Sequence, residues 1–332
     1  MSDTLFHEYL TVGVVEEECM RALTLACAIA LLIKLAAGSS MVAAGENFYG
    51  IPPPGKRVDV GGYELHINCQ GSGSPTVILE AGIGDWSTHW TAVQRLLQRD
   101  TRVCSYDRAG YGWSDPVKQP RDSQRLAAEL HALLIRAGIE PPYLLVGHSF
   151  GGFNMLLFAR IHASEVYGLV LVDASHPESL PYIPAEAGAE SDLDTADHGM
   201  AMYRETPDES KFPPEALPAI HDRLLSTKAW VASHNEYRYL ARSVQELRQA
   251  PPLGDIPLTV LSRGLRQWPP GPEGDARERT WREQQEALAR LSPRGIHRIA
   301  SKSGHYIHLD EPGVVAAAVR DMLAAQGEKP AE

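Results

Sequence analysis

From about residue 56 onward, short apolar runs alternate with stretches whose apolar residues recur at helical spacing. "KRVDV" and "YELHINCQG" flank Gly61-Gly62 and read as two strands around a tight turn. "PTVILEAG", "TRVCSYDRAG", "YLLVGHS", "YGLVLVDAS", "IPLTVLSRG" and "IHRIASKSGH" are short aliphatic runs of strand character. Between them lie "STHWTAVQRLLQR", with Ser87 as a candidate N-cap, "DSQRLAAELHALLIRAG", closed by Gly138, and "FGGFNMLLFARIH"; "GVVAAAVRDMLAAQG" comes last. Strands alternating with helices predict parallel β-α-β units. The expected fold class is α/β, a mostly parallel sheet of about eight strands with helices on both faces.

Two regions break this rhythm. Residues 176–252 carry no convincing strand, but an acidic, Pro-rich stretch ("PAEAGAESDLDTADHG") and helical text ("KAWVASHNEYRYLARSVQELRQ"). They read as a helical cap inserted between core segments 56–175 and 253–328. At the other end, "ENFYGIPPPG" (46–55) is a linker, since its prolines and glycines do not fit a helix. Residues 1–45 contain the apolar core Ala22 to Ile33, flanked by Arg21 and followed by the small residues Val42, Ala43 and Ala44. This is the pattern of a signal peptide or membrane anchor. Residues 1–19 are acidic ("VVEEEC"), which suits translation starting at Met20. An exported or membrane-anchored protein of the periplasm or cell envelope is expected, with membrane contact through residues 21–37.

Composition narrows the function. The chain has 332 residues, 44% hydrophobic and 22% charged, an ordinary globular balance. A formal charge of −11 argues against a nucleic-acid partner. Cys19, Cys27, Cys69 and Cys104 form no C-x-x-C pair, so neither a zinc ribbon nor a thioredoxin-type site is supported.

The chemistry gathers on "LLVGHSFGGF". Gly147, Ser149 and Gly151 fit G-x-S-x-G at the junction of a strand and a helix. That context turns a weak pattern into a nucleophile elbow: small neighbours permit a sharp turn, and the serine oxygen stands above the sheet. The Phe150 N–H, at the start of the helix, is a candidate oxyanion donor. A serine needs a base. His305, in "SKSGHYIHLDEP", follows the last strand and shares the carboxyl edge of the sheet, where catalysis gathers in such folds. His308 is its rival, and His148 reads as a packing or hydrogen-bonding residue.

With "GHSFGG" at the elbow, "DRAGYGWSD" (Asp107 to Asp115) after an earlier strand and "SGHYIHLDEP" at the histidine end, residues 56–326 resemble the α/β-hydrolase superfamily with a serine nucleophile. The resemblance implies a second oxyanion donor in the loop "LEAGIGDW", where Ile83 holds the position. It also implies an acid after the strand "PLTVLSRG", yet Gln267 stands there. Asp173, ending "YGLVLVDAS", is the alternative placement used elsewhere in the superfamily, and Asp275 and Glu273 remain further candidates. Asp107 and Arg108 read as braces for the elbow rather than catalytic groups. In this fold the strands of Cys69 and Cys104 are neighbours, so a disulfide is one outcome and two buried thiols the other. No metal site or cofactor is expected.

The implied function is hydrolysis of a carboxylic ester, or of an amide or thioester, through an acyl-enzyme on a Ser149–His305–Asp173 triad, with a small acyl compound as partner. A carbon–carbon bond hydrolase or a cofactor-free haloperoxidase on the same triad, and a non-catalytic binding protein retaining the fold, are the alternatives.

Overall fold

The computed structural model describes residues 51–178, 208–223 and 226–325. The expected export segment (1–45), residues 46–50 of the linker and residues 179–207 of the expected cap lie outside the described residues. Among the described residues no helix is long and apolar enough to cross a membrane.

Eight strands form one sheet in the order β1-β2-β4-β3-β5-β6-β7-β8. They are β1 (Lys56–Asp59), β2 (Glu64–Gln70), β3 (Thr76–Glu80), β4 (Val103–Tyr106), β5 (Tyr143–His148), β6 (Val166–Val172), β7 (Leu258–Arg263) and β8 (Gly295–Ala300). The sheet is mixed: β2 runs antiparallel to β1 and β4, and the pairings from β4 across to β8 are parallel. Two short connections reverse the chain at this edge, Gly61-Gly62 between β1 and β2 and residues 71–75 between β2 and β3, whereas each strand after β3 is reached through a crossover. Cys69 and Cys104 face each other across β2 and β4 and are joined as a disulfide.

The helices of the sheet layers are α1 (Thr91–Leu97), α2 (Ser123–Ala137) and α3 (Phe150–Ile161). Within the insert lie α4 (Leu217–Arg223), α5 (Thr227–Arg238) and α6 (Leu240–Gln249). Towards the end come α7 (Pro272–Ala289), the short α8 (Ile307–Asp310) and α9 (Pro312–Ala325). The strand period of two sorts the core onto both faces. Ile78 and Leu145 pack with α2, α3 and α7 residues such as Leu130, Phe153 and Leu288. Their neighbours Val77, Leu79, Leu144 and Val146 pack with Val93 of α1 and Val315 and Val319 of α9. Each such fully buried side chain contributes about 1.5–3 kcal/mol relative to exposure.

Two local expectations change. Ser87 does not cap α1: a 3-10 turn, Ser87–Trp90, precedes the helix, and the Ser87 N–H donates to Asp107 Oδ1 at 2.8 Å. The buried carboxylate thus satisfies an N–H at the start of the turn that has no acceptor within it. The helix α7, between β7 and β8, is an addition to the elements read from the pattern. Its buried positions include Glu278, Gln284 and Gln285, so no apolar stripe marks it.

The described part of the insert is helical, in keeping with a cap. It is tied to the sheet layer: the Ser123 N–H donates to Ser243 Oγ at 2.9 Å, and Arg160 Nη1 to the Leu247 carbonyl at 2.9 Å.

Candidate active site

The strand β5 ends at His148 and α3 begins at Phe150, so the whole turn is made at Ser149. Ser149 has φ 53° and ψ −122°, a conformation that L-residues avoid. The flanking glycines explain how it is accommodated. A Cβ on Gly147 would lie 2.5 Å from the Gly151 carbonyl, and one on Gly151 would lie 2.5 Å from the Ala81 carbonyl. The serine carries the backbone strain, while the glycines allow strand, helix and the loop after β3 to approach one another.

The elbow is fastened to the end of β6. The Ser149 N–H donates to the Val172 carbonyl at 3.1 Å, and the Ser175 N–H donates to the Ser149 carbonyl at 3.1 Å. Asp173 lies between those two anchors. It has φ 43°, and it and Ser149 are the two non-glycine residues of positive φ among the described residues.

Asp173 is fully buried and held from four sides. Its Oδ1 accepts the Arg263 N–H at 3.0 Å and the Trp281 indole N–H at 3.0 Å. Its Oδ2 accepts the Arg263 guanidinium at 3.2 Å and stands 2.6 Å from His305 Nδ1. Burial alone would raise this carboxyl. The His305 hydrogen bond and charge, with Arg263, outweigh it and hold the group below the usual carboxylate range. Arg263 ends β7, shares its charge with Glu278 at 3.3 Å, and lies 4.9 and 4.8 Å from the ring centres of Trp268 and Trp281. Arg263 and Trp281 had no signal in the sequence: one ends β7, four residues before the Gln267 position where an acid was sought, and the other sits on α7.

The other acid candidates are engaged elsewhere. Asp275 pairs with Arg266 at 2.6 Å and Glu273 with Arg277 at 2.7 Å; both carboxylates face solvent at the start of α7.

His305 lies in the loop between β8 and α8, with 23% of its side chain exposed. His148 steadies it: His148 Nε2 donates to the His305 carbonyl at 3.0 Å, and the two rings lie 4.6 Å apart. His308, the rival base, is fully buried against Trp90 at 4.4 Å. Burial, then neighbouring imidazoles, push both His148 and His308 well below the ordinary histidine value.

The loop carrying Ile83 is braced from beneath. Arg108 donates to the Ala81 and Gly82 carbonyls at 2.5 and 2.9 Å, and its guanidinium forms a two-point pair with Glu236 of α5 at 2.7 and 2.9 Å. Tyr111 Oη donates to Glu236 at 3.0 Å and accepts the Gly84 N–H at 3.2 Å. A Cβ on Gly82 would lie 3.3 Å from Ser149 Cβ, so the loop abuts the elbow. Arg108 thus braces the loop after β3, and Asp107 braces His66, Ser87 and Trp113. Glu236, 128 residues from Arg108, was not foreseen.

A model of the alpha/beta hydrolase family matches residues 72–318. The chain belongs to the alpha/beta hydrolase family. Among its relatives is the protein YqjL of Bacillus subtilis, 28% identical over 272 residues, spanning 81% of this chain and 92% of that one. The enol-lactonase of Burkholderia xenovorans has the same fold, with a TM-score of 0.60 at 21% identity over 81% of this chain and 100% of that one. So has a malate-bound esterase of Thermogutta terrifontis, with a TM-score of 0.57 at 21% identity over 81% and 98%. In the hydrolase described here, the family's matched region takes in Ser149, Asp173 and His305.

Proposed function

We propose that this alpha/beta hydrolase cleaves carboxylic esters by a serine mechanism. The observation that carries the reading is the contact of buried Asp173 with the partly exposed His305 at 2.6 Å, next to a serine held at positive φ on the same sheet edge. Fold likenesses to a lactonase and an esterase agree with acyl chemistry, as analogy.

In this reading His305 Nε2 takes the Ser149 hydroxyl proton as Oγ attacks the ester carbonyl. The carbonyl electron pair moves to oxygen, and the Phe150 and Ile83 N–H groups receive that oxyanion. Collapse breaks the bond to the alcohol, which leaves with the proton from His305. Water then gives a proton to His305 and attacks the acyl-serine; collapse breaks the acyl–Oγ bond, His305 returns that proton to Ser149 Oγ, and the acid is released. Asp173 stays ionised throughout, fixes the imidazole tautomer and stabilises its cationic form. Phe150 is the first residue of α3, so its N–H lacks an intrahelical acceptor. The Cys69–Cys104 disulfide and the apolar run 22–33 support an exported enzyme.

The test is a panel of p-nitrophenyl esters of graded acyl length beside a β-diketone. Ester turnover that is lost in Ser149→Ala and in His305→Ala is expected. Turnover of the diketone alone would transfer the site to carbon–carbon cleavage, and turnover that survives Ser149→Ala would remove the serine from the mechanism.

A further inference from the structure

A second cluster of chemically capable side chains lies at the opposite edge of the sheet. It is formed by His131 of α2, His162 at the C-cap of α3, and Glu165 just before β6. Ser149 is the N-cap of α3 and His162 its C-cap, and the twelve helical residues between them span roughly 18 Å. The cluster is therefore apart from the proposed reaction and owes nothing to it.

Its geometry is that of a partly assembled ligand set. His131 Nε2 lies 3.1 Å from each Glu165 carboxylate oxygen, and His162 Nδ1 lies 3.9 Å from Oε1. One donor atom from each residue falls within 4.8 Å of the others. An ion bound tetrahedrally at about 2.0–2.2 Å from nitrogen and oxygen holds its donors roughly 3.3–3.6 Å apart. The observed nitrogen–oxygen spacings bracket that value, and the stacked imidazoles must turn out of their near-parallel arrangement for both ring nitrogens to aim at one ion.

Packing sets this arrangement. The two imidazoles are stacked 4.0 Å apart at 21°, and Phe158 lies against both, at 5.9 Å from His131 and 4.7 Å from His162. The side chains are 24%, 22% and 27% exposed, which gives an ion access and leaves a coordination position for water. Two imidazoles with one carboxylate suit Zn²⁺, Co²⁺ or Ni²⁺ and disfavour Mg²⁺ and Ca²⁺, which take oxygen ligands.

We propose that His131, His162 and Glu165 form a divalent transition-metal site that joins α2, the end of α3 and the start of β6. A bound ion would cross-link three elements of the core and stabilise the folded state by mass action. A plain His131–Glu165 ion pair is the competing account, and it makes no use of His162.

The experiment is calorimetric titration of metal-free, full-length protein with Zn²⁺. Thermal melts with and without Zn²⁺, and visible spectra with Co²⁺, accompany it. Because His305 is exposed enough to bind zinc, the titration is repeated in His305→Ala. The expected result is one equivalent of Zn²⁺ retained in His305→Ala, a rise in Tm of several degrees, and a ligand-field band with Co²⁺. His162→Ala and Glu165→Gln should each weaken binding by roughly a hundredfold or more, since even outer-shell losses reach that size. Circular dichroism and the metal-free Tm show that these variants fold. No Zn²⁺ binding below millimolar concentration, or binding unchanged in folded His162→Ala, would overturn the site.

Discussion

Two Asp–His pairs among the described residues, Asp107–His66 and Asp173–His305, are of nearly equal length and differ in what surrounds them. Asp107 and His66 meet at 2.8 Å with both side chains sealed from solvent. His66 Nδ1 faces the carboxylate, and its Nε2 donates to the Pro54 carbonyl at 2.9 Å. An acceptor at each nitrogen favours the protonated ring. Burial opposes that charge, but Asp107 and the Pro54 carbonyl outweigh it and raise the His66 value. Asp173 and His305 meet at 2.6 Å with the carboxylate buried and the imidazole partly open. Among the described residues no hydrogen bond engages His305 Nε2, and the strained Ser149 stands on the same edge. An Asp–His pair does chemistry when its second nitrogen can exchange a proton with something outside the pair. Otherwise it is a brace.

The largest expected effects exchange these roles. Asp173→Asn should lower ester turnover by about 10⁴-fold, the scale of losing tautomer control in a triad. Its Tm should change little, because the Arg263 guanidinium keeps Glu278 as a partner. Asp107→Asn should do the reverse. Leaving the sealed His66 unpaired costs about 3–5 kcal/mol of stability, read by urea denaturation, while the folded fraction keeps near-native kcat. A folded, stable Asp107→Asn enzyme without turnover would erase the distinction between the pairs.

A smaller effect is expected at Glu236. Glu236→Gln weakens the two-point grip on Arg108, which holds the Ala81 and Gly82 carbonyls beside the proposed oxyanion donor. We expect kcat to fall by about 10²-fold with KM nearly constant, because one oxyanion donor is worth 10²–10³. A change confined to KM would assign Glu236 to substrate binding instead.

The smallest effect separates the histidines by pH. His148 and His308 have folded-state values far below 6.5, so the unfolded chain binds more protons once pH falls through that value. Each therefore costs up to about 1.4 kcal/mol of stability per pH unit below 6.5. His66 is raised, so its contribution is complete below 6.5 and fades only as pH climbs through its folded value. Urea midpoints at pH 7.5 and 5.5 should thus differ less in His308→Phe than in wild type. An unchanged difference would mean that His308 is protonated in the fold.

Much of this was legible in the chain because it rests on local pattern. Aliphatic runs at strand length gave the sheet, and small residues around Ser149 marked the one place where strand becomes helix without a loop. His305 could be chosen by its position after the last strand. What stayed hidden depends on distance in sequence or on polar residues that are buried. Glu236 reaches Arg108 across 128 positions. Helix α7 buries Glu278 and two glutamines, so its periodicity carries no apolar signal. Arg263 ends β7, before the Gln267 position where an acid was sought, and it holds Asp173 just past the end of the neighbouring β6. The cluster of His131, His162 and Glu165 is assembled by helix packing from residues 31 and 3 positions apart, a spacing that no metal motif marks.

The most direct test of the central claim is covalent labelling with a fluorophosphonate, located by peptide mass spectrometry. The account predicts one adduct, on Ser149, absent in Ser149→Ala and formed far more slowly in His305→Ala and Asp173→Asn. A folded wild-type protein that stays unlabelled, or an adduct on a different serine, would contradict it.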